Sequence, residues 1–177
     1  MAGEAGARAG EPDTPSGPAP SGPIGAAPPR RVLVVCTANQ CRSPMAAALL
    51  AQAGRGRLDV RSAGTWAADG APATAEAVRT MAERGIDLAG HRSQSVTRDL
   101  VDWADAIVTM TASHRESLVA EFPDAAQKIL RLADVDGAGW DVADPIGAGR
   151  DAYGATADEL GRLVDAGIAK LVETPSA

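Results

Sequence analysis

Four consecutive aliphatic residues, Val32-Leu33-Val34-Val35, run directly into the polar stretch Cys36-Thr37-Ala38-Asn39-Gln40-Cys41-Arg42-Ser43-Pro44, and this junction constrains the chain more than any other segment. An unbroken aliphatic run without alternation fits a strand buried on both faces. Ser43 as N-cap, Pro44 at the first helical position and Met45 to Ala53 beyond it predict a helix immediately afterwards. Strand, short loop and helix N-terminus together make an anion site: backbone N–H groups turn toward one point, and the helix dipole favours negative charge there. Arg42 adds a forked grip on two oxygens of a tetrahedral oxyanion such as phosphate. Cys36 opens the loop, where the N–H groups and the Arg42 guanidinium favour its thiolate. Five residues separate Cys36 from Arg42, enough to wrap once around a phosphoryl group with the sulfur beneath phosphorus for in-line attack. An inert core thiol is the ordinary alternative for a free cysteine. Against it stand the strand, Asn39, the Ser43-Pro44 pair and a downstream Asp144-Pro145, all in one chain.

The remaining composition narrows the class. A chain of 177 residues with 45% hydrophobic content suits one domain with a real core. Net charge of -6 and a pI near 4.9 argue against nucleic acid or an anionic membrane as the main partner. The two cysteines both lie in the loop, which leaves no disulfide framework and favours a reducing compartment, so a cytoplasmic protein is expected. Residues 1–30 are dominated by Gly, Ala and Pro and are expected to form a disordered tail, with the folded domain over 31–177. No segment approaches the roughly 20 apolar residues of a membrane span, and the continuous apolar core of a signal peptide is missing. A soluble monomer is the expectation.

Along the chain, strand and helix signals alternate. Leu58 to Ser62 reads as a strand beside the first, placing Ser62 and Thr65 at a carboxyl edge where ligands bind in open α/β sheets. Trp66 follows as a possible pocket wall, although packing is its more ordinary role. Ala73 to Arg84 forms an amphipathic helix closed by Gly85. A helix ending in Val101, Trp103 and Ala104 precedes a strand over Ala106 to Met110. His114 falls on the helix after it and is expected to be solvated. Lys128 to Leu132 supplies a fourth strand, and Asp151 to Val172 a final helix with Leu160, Leu163, Val164, Ile168 and Leu171 facing the core. The alternation predicts an α/β three-layer sandwich around a mostly parallel four-stranded sheet.

Cys36 to Pro44 resembles the signature loop of the low-molecular-weight protein tyrosine phosphatase family, written C-x-G-N-x-C-R-S-P. The resemblance extends to Arg61-Ser62-Ala63-Gly64-Thr65, His91-Arg92-Ser93, Ala104 to Met110 and Asp144-Pro145, and covers about residues 31–173. It implies a phosphoprotein phosphatase without cofactor or metal. Cys36 would be the nucleophile, Arg42 the oxyanion clamp and Asp144 the general acid. Thr37, Ala38, Asn39, Gln40, Cys41 and Ser43 would cradle the phosphoryl group. His91 would serve with Asn39, Ser43 and Ser62 in a hydrogen-bond network under the loop. Asp144 also makes chemical sense on its own: it lies in the polar loop from Ala133 to Arg150, and a mobile loop can bring a carboxylic acid to a leaving group, an effect worth about 10²–10⁴-fold. Asp134, Asp136 and Asp141 in the same loop read as solvated or turn-capping residues.

Three departures from the family pattern bear on the loop and on substrate choice. Ala38 stands where glycine is usual, so the backbone there must tolerate a Cβ. Gln40 replaces the apolar residue of tyrosine-directed members or the threonine of the arginine-directed branch. Ile146-Gly147 follows Asp144-Pro145 in place of ring-lining aromatics. Asp144 to Gly147, Tyr153, Thr156 and Asp158-Glu159-Leu160 resemble the arginine-directed branch. Phosphotyrosine is the leading expectation and phosphoarginine the alternative. An arsenate reductase of the thioredoxin-linked kind would need further cysteines, and an inactive phosphoprotein-binding module would lack the nucleophile, the arginine or the acid. Cys41 is a candidate to trap oxidised Cys36 as a disulfide, with packing beneath the loop as its alternative role.

Overall fold

The computed structural model describes residues 28–135, 137 and 139–173. Most of the tail expected over residues 1–30 and loop residue Asp136 lie outside the described residues; Arg30 already belongs to the first strand.

Four strands, β1 (Arg30–Cys36), β2 (Leu58–Gly64), β3 (Ala106–Thr109) and β4 (Ile129–Arg131), form one sheet in the order β2-β1-β3-β4, every pair parallel. The register sets Cys36 opposite Gly64 and Val35 opposite Thr109, so the carboxyl ends of the three longest strands meet at one edge. β1 is central, which explains its composition. Val32 and Val34 enter a core with α1 (Arg42–Gly54), α2 (Ala75–Ala82) and α5 (Gly149–Val172), while Leu33 and Val35 enter a second core with α3 (Arg98–Trp103) and α4 (Ala112–Glu121). All four side chains are fully buried, and a strand covered on both faces has no place for a polar alternate. The result is the expected three-layer sandwich.

Several boundaries differ from the sequence expectation for identifiable reasons. α2 starts at Ala75 because Thr74 caps it, its hydroxyl accepting the Ala77 N–H at 3.3 Å. Its far end closes as foreseen at Gly85, whose φ of +75° permits the paired bonds Gly85 N–H to Ala82 and Ile86 N–H to Met81. β4 is only three residues long, lying between 3₁₀ turns at Pro123–Lys128 and Leu132–Val135. Lys128 leaves the strand because its ammonium donates to the carbonyls of Val101 and Ala104 at the end of α3, at 2.7 and 2.8 Å. α5 begins at Gly149, two residues early, and buries Leu160, Leu163, Val164 and Leu171 as expected. Among the described residues no helix is long and apolar enough to cross a membrane.

Candidate active site

β1 ends at Cys36 and α1 begins at Arg42, so residues 37–41 form the loop between them. The left-handed residue in that loop is Asn39, with φ of +56°, and not Ala38. Ala38 therefore carries its Cβ without backbone strain, which removes the difficulty raised by alanine at a usual glycine position. The end of β2 lies directly against the loop. Thr65 N–H donates to Cys36 O and Trp66 N–H to Thr37 O, each at 2.9 Å. A Cβ on Gly64 would stand 2.4 Å from Thr37 O, so the approach of the two backbones requires glycine there.

Ser43 is not the helix cap. The helix starts one residue ahead of it, with Cys41 at the cap position and no side-chain cap bond. Ser43 Oγ instead turns inward, 3.0 Å from Cys36 Sγ, where it accepts from Asn39 Nδ2 at 2.9 Å. Asn39 Nδ2 also donates to Ser62 Oγ at 2.8 Å, and Asn39 Oδ1 accepts the Gln94 N–H at 3.0 Å. His91 Nε2 lies 2.6 Å from Asn39 O, and because a carbonyl can only accept, that nitrogen carries a proton. One connected set of hydrogen bonds thus runs from His91 and Ser62 through Asn39 and Ser43 to the Cys36 sulfur, and Ser43 O–H is placed to donate to a thiolate. Gln94, absent from the sequence reading, completes it.

Arg42 is 4% exposed, and its three nitrogens have separate fates. Nη1 donates to Val142 O at 3.1 Å, Nη2 meets Asp144 Oδ2 at 2.5 Å, and the buried Nε has no hydrogen-bond partner among the described residues. The sheet edge thereby brings Cys36, Arg42 and Asp144 to one place. The Asp144 carboxylate is partly exposed and its Oδ1 accepts the Ile146 N–H, a turn that holds the Asp-Pro segment. That segment is anchored again upstream. Val142 N–H donates to Met110 O at 2.9 Å, and Asp141 accepts the first N–H of α4 at 2.7 Å while paired with Arg131. Asp141 is a cap, as expected, and Asp134 is a surface partner of Arg131.

Behind the loop, Cys41 Sγ lies 3.2 Å from Tyr153 OH and 3.6 Å from Thr74 Oγ1, and Thr74 N–H donates to Gln40 O at 3.0 Å. Burial, opposed by these hydroxyl contacts, pushes the Cys41 thiol above its ordinary pKa, and burial pushes Tyr153 up to about 12. Neither Thr74 nor Tyr153 was foreseen as a loop contact.

Two expectations need correction. His114 is not solvated: it is buried, with Nε2 2.8 Å from Thr37 Oγ1 and Nδ1 2.8 Å from Thr111 Oγ1. A turn of helix that looks polar in sequence is buried here because α4 begins beside the loop. Trp66 is 86% exposed, so it does not pack in the core as its more ordinary role would have it, and Ile146, two residues after Asp144, is 58% exposed. Trp140 is tied to α5 through a 2.7 Å bond to Glu159.

The family model described as low molecular weight phosphotyrosine protein phosphatase matches residues 31–175. The chain belongs to this family. It is 43% identical over 138 residues to a protein-arginine-phosphatase of Geobacillus stearothermophilus, covering 77% of this chain and 93% of the relative. It is 37% identical over 142 residues to a probable low molecular weight protein-tyrosine-phosphatase of Ralstonia nicotianae, covering 80% and 96%. Among solved structures, an arginine phosphatase carrying a cysteine-to-serine mutation and a phosphorylated active-site serine superposes with a TM-score of 0.77 at 33% identity, covering 82% of this chain and 97% of that one. Both substrate branches of this phosphatase family are thus represented among its relatives.

Proposed function

We propose that this phosphatase hydrolyses phosphorylated side chains of proteins through a cysteinyl-phosphate, with Cys36 as nucleophile, Arg42 as oxyanion clamp and Asp144 as acid and base. The observation that carries this reading is the Arg42 guanidinium, buried with its Nε unpartnered beside the loop that Cys36 opens. A buried charged donor without a partner is costly, and an oxyanion in the loop satisfies it through the Nε–Nη2 edge. The Cys36 sulfur attacks phosphorus as the bond to the leaving atom breaks, and Asp144, beside Nη2, gives its proton to that atom. Water then attacks phosphorus with Asp144 as base, releasing inorganic phosphate and restoring the thiolate. Ser43, 3.0 Å from the sulfur, stabilises the thiolate before attack and on departure. The phosphorylated serine in the arginine phosphatase supports phosphoryl transfer to the side chain at this position.

Phosphotyrosine is the leading substrate, since the matched family is one of phosphotyrosine phosphatases and Trp66 presents an exposed ring while its N–H is held on Thr37 O. Phosphoarginine is the second reading, favoured by the 43% identity to an arginine phosphatase and by Ile146 where an aromatic would line a ring slot. Turnover of p-nitrophenyl phosphate should vanish in Cys36→Ser. Asp144→Ala should lose about 10²–10⁴-fold, most with poor leaving groups. Retained activity in Cys36→Ser, or inactivation by EDTA that added metal reverses, defeats the mechanism. Phosphotyrosine and phosphoarginine peptides assayed side by side decide the substrate. Gln40→Ile should raise the kcat/KM ratio toward phosphotyrosine, and an unchanged ratio removes Gln40 from the choice.

A further inference from the structure

The contact between His114 and Thr37 joins residues 77 positions apart and plays no part in the mechanism just given. His114 is 7% exposed, and each of its ring nitrogens faces one threonine hydroxyl at 2.8 Å. Those hydroxyls belong to different elements. Thr111 is the cap of α4, its Oγ1 also accepting the His114 backbone N–H at 3.2 Å and lying 3.0 Å from Ser113 Oγ. Thr37 is the residue that follows Cys36, and its carbonyl already accepts the Trp66 N–H. With Cys36 O held by Thr65 N–H, both carbonyls of this stretch are held from the β2 side. The His114 ring supplies the restraint from the α4 side.

We propose that His114 is a positioning residue of the catalytic loop, which acts by holding the Thr37 hydroxyl and, through it, the first turn of backbone after the nucleophile. The inference rests on the reading of this loop as the phosphatase site. A neutral imidazole has one donor and one acceptor, so one of the two hydroxyls donates to the ring and the other accepts from it. Protonation makes both nitrogens donors, and the Thr37 hydroxyl proton must then point away from the ring. The charged groups acting on His114 are Arg42 at the start of α1 and Asp141 and Asp144 in the segment before α5. Burial first and Arg42 second hold the imidazole below its ordinary pKa, against the opposite pull of the two carboxylates. The ring is therefore neutral at neutral pH, and in acid the Thr37 hydroxyl can only accept from it, which leaves the hydroxyl proton to turn elsewhere in the loop.

Steady-state kinetics with p-nitrophenyl phosphate from pH 5 to 8 test the proposal in four variants. Thr37→Val removes the hydroxyl at nearly constant shape. His114→Asn reaches only the Thr111 side, whereas His114→Gln places an amide where Nε2 stood and cannot titrate. Thr37→Val and His114→Asn should each lower kcat/KM about tenfold, the loss of one hydrogen bond of about 1.4 kcal/mol. The double variant Thr37→Val/His114→Asn should fall no further than either single change. His114→Gln should recover most of the loss and show one ionisation fewer on the acid side of its pH profile. Wild-type kcat/KM in Thr37→Val, multiplying losses in the double variant, or no recovery in His114→Gln each overturn the inference. Cys36→Ser, assayed in parallel, distinguishes its failure from failure of the phosphatase reading: with Cys36→Ser inactive, any of those results counts against His114 alone, whereas an active Cys36→Ser removes the reading on which the inference rests.

Discussion

At Cys41 the thiol is shared by Tyr153 OH and Thr74 Oγ1, is buried, and is held protonated well past neutral pH by that burial. Such a thiol does not compete with Cys36 for phosphorus, because the thiolate is the nucleophile. It can still act after oxidation. If Cys41 is the trap, peroxide oxygen converts the Cys36 thiolate to a sulfenic acid, and the Cys41 sulfur then displaces the hydroxyl, which leaves as water while the disulfide forms. Peroxide should inactivate the wild type reversibly with dithiothreitol, and Cys41→Ser should lose that recovery while keeping much of its starting activity. Equal recovery in both proteins assigns Cys41 to packing alone. The residues around the sulfur were legible in sequence where they are contiguous, from Cys36 to Ser43, and where a dipeptide marks them, as at Asp144-Pro145. Tyr153, Thr74 and His114 were not, because they reach the loop from 112, 33 and 77 residues away and nothing local announces such contacts. Ser43 shows the reverse error: its place before Pro44 suggests a cap, but a buried sulfur and a buried amide claim its hydroxyl first.

Among the elements, the end of β2 is the wall against which the catalytic loop is cast. Gly64 makes that possible, since a Cβ there would press on the Thr37 carbonyl at 2.4 Å and on Ala38 C at 3.1 Å, backbone atoms that cannot rotate aside. Gly64→Ala should cost about 1–3 kcal/mol in urea unfolding, as an overpacked site does, and should lower kcat beyond what the stability loss explains. Gly161→Ala on α5 is the contrasting case, with nothing within 4 Å of the new Cβ. It should stabilise by up to about 1 kcal/mol through helix propensity and leave kcat alone. Comparable kcat losses in the two variants would mean that Gly64 has no special hold on the loop. The strands and helices themselves were readable from period and cap chemistry, because each long element satisfies its own pattern. β4 was overestimated because Lys128 and Leu132 look like strand residues but are taken by the end of α3 and by the core under α5.

The whole molecule is two apolar cores on either side of one sheet, with the site at the edge where both cores end. A buried neutral histidine at that edge ties global stability to pH. The folded-state pKa of His114 lies below its ordinary value, so the unfolded chain binds the extra proton first as pH falls. Its contribution is therefore fully present above about 6.5, the unfolded histidine value, and declines as pH drops from there through the folded-state pKa. The carboxylates held down by arginine, Asp105 by Arg31 and Asp124 by Arg98, have the same sign but a lower window. Their contribution is complete above about 3.9 and is lost below it. Between about pH 7.5 and 5 the histidine contribution thus stands apart. Urea midpoints over that range should fall more steeply in the wild type than in His114→Gln, which has no imidazole to protonate at this site, while the two should run parallel above it. Parallel curves throughout would show that acid does not act through His114, since the exposed ion pairs and the partly exposed His91 are the same in both proteins.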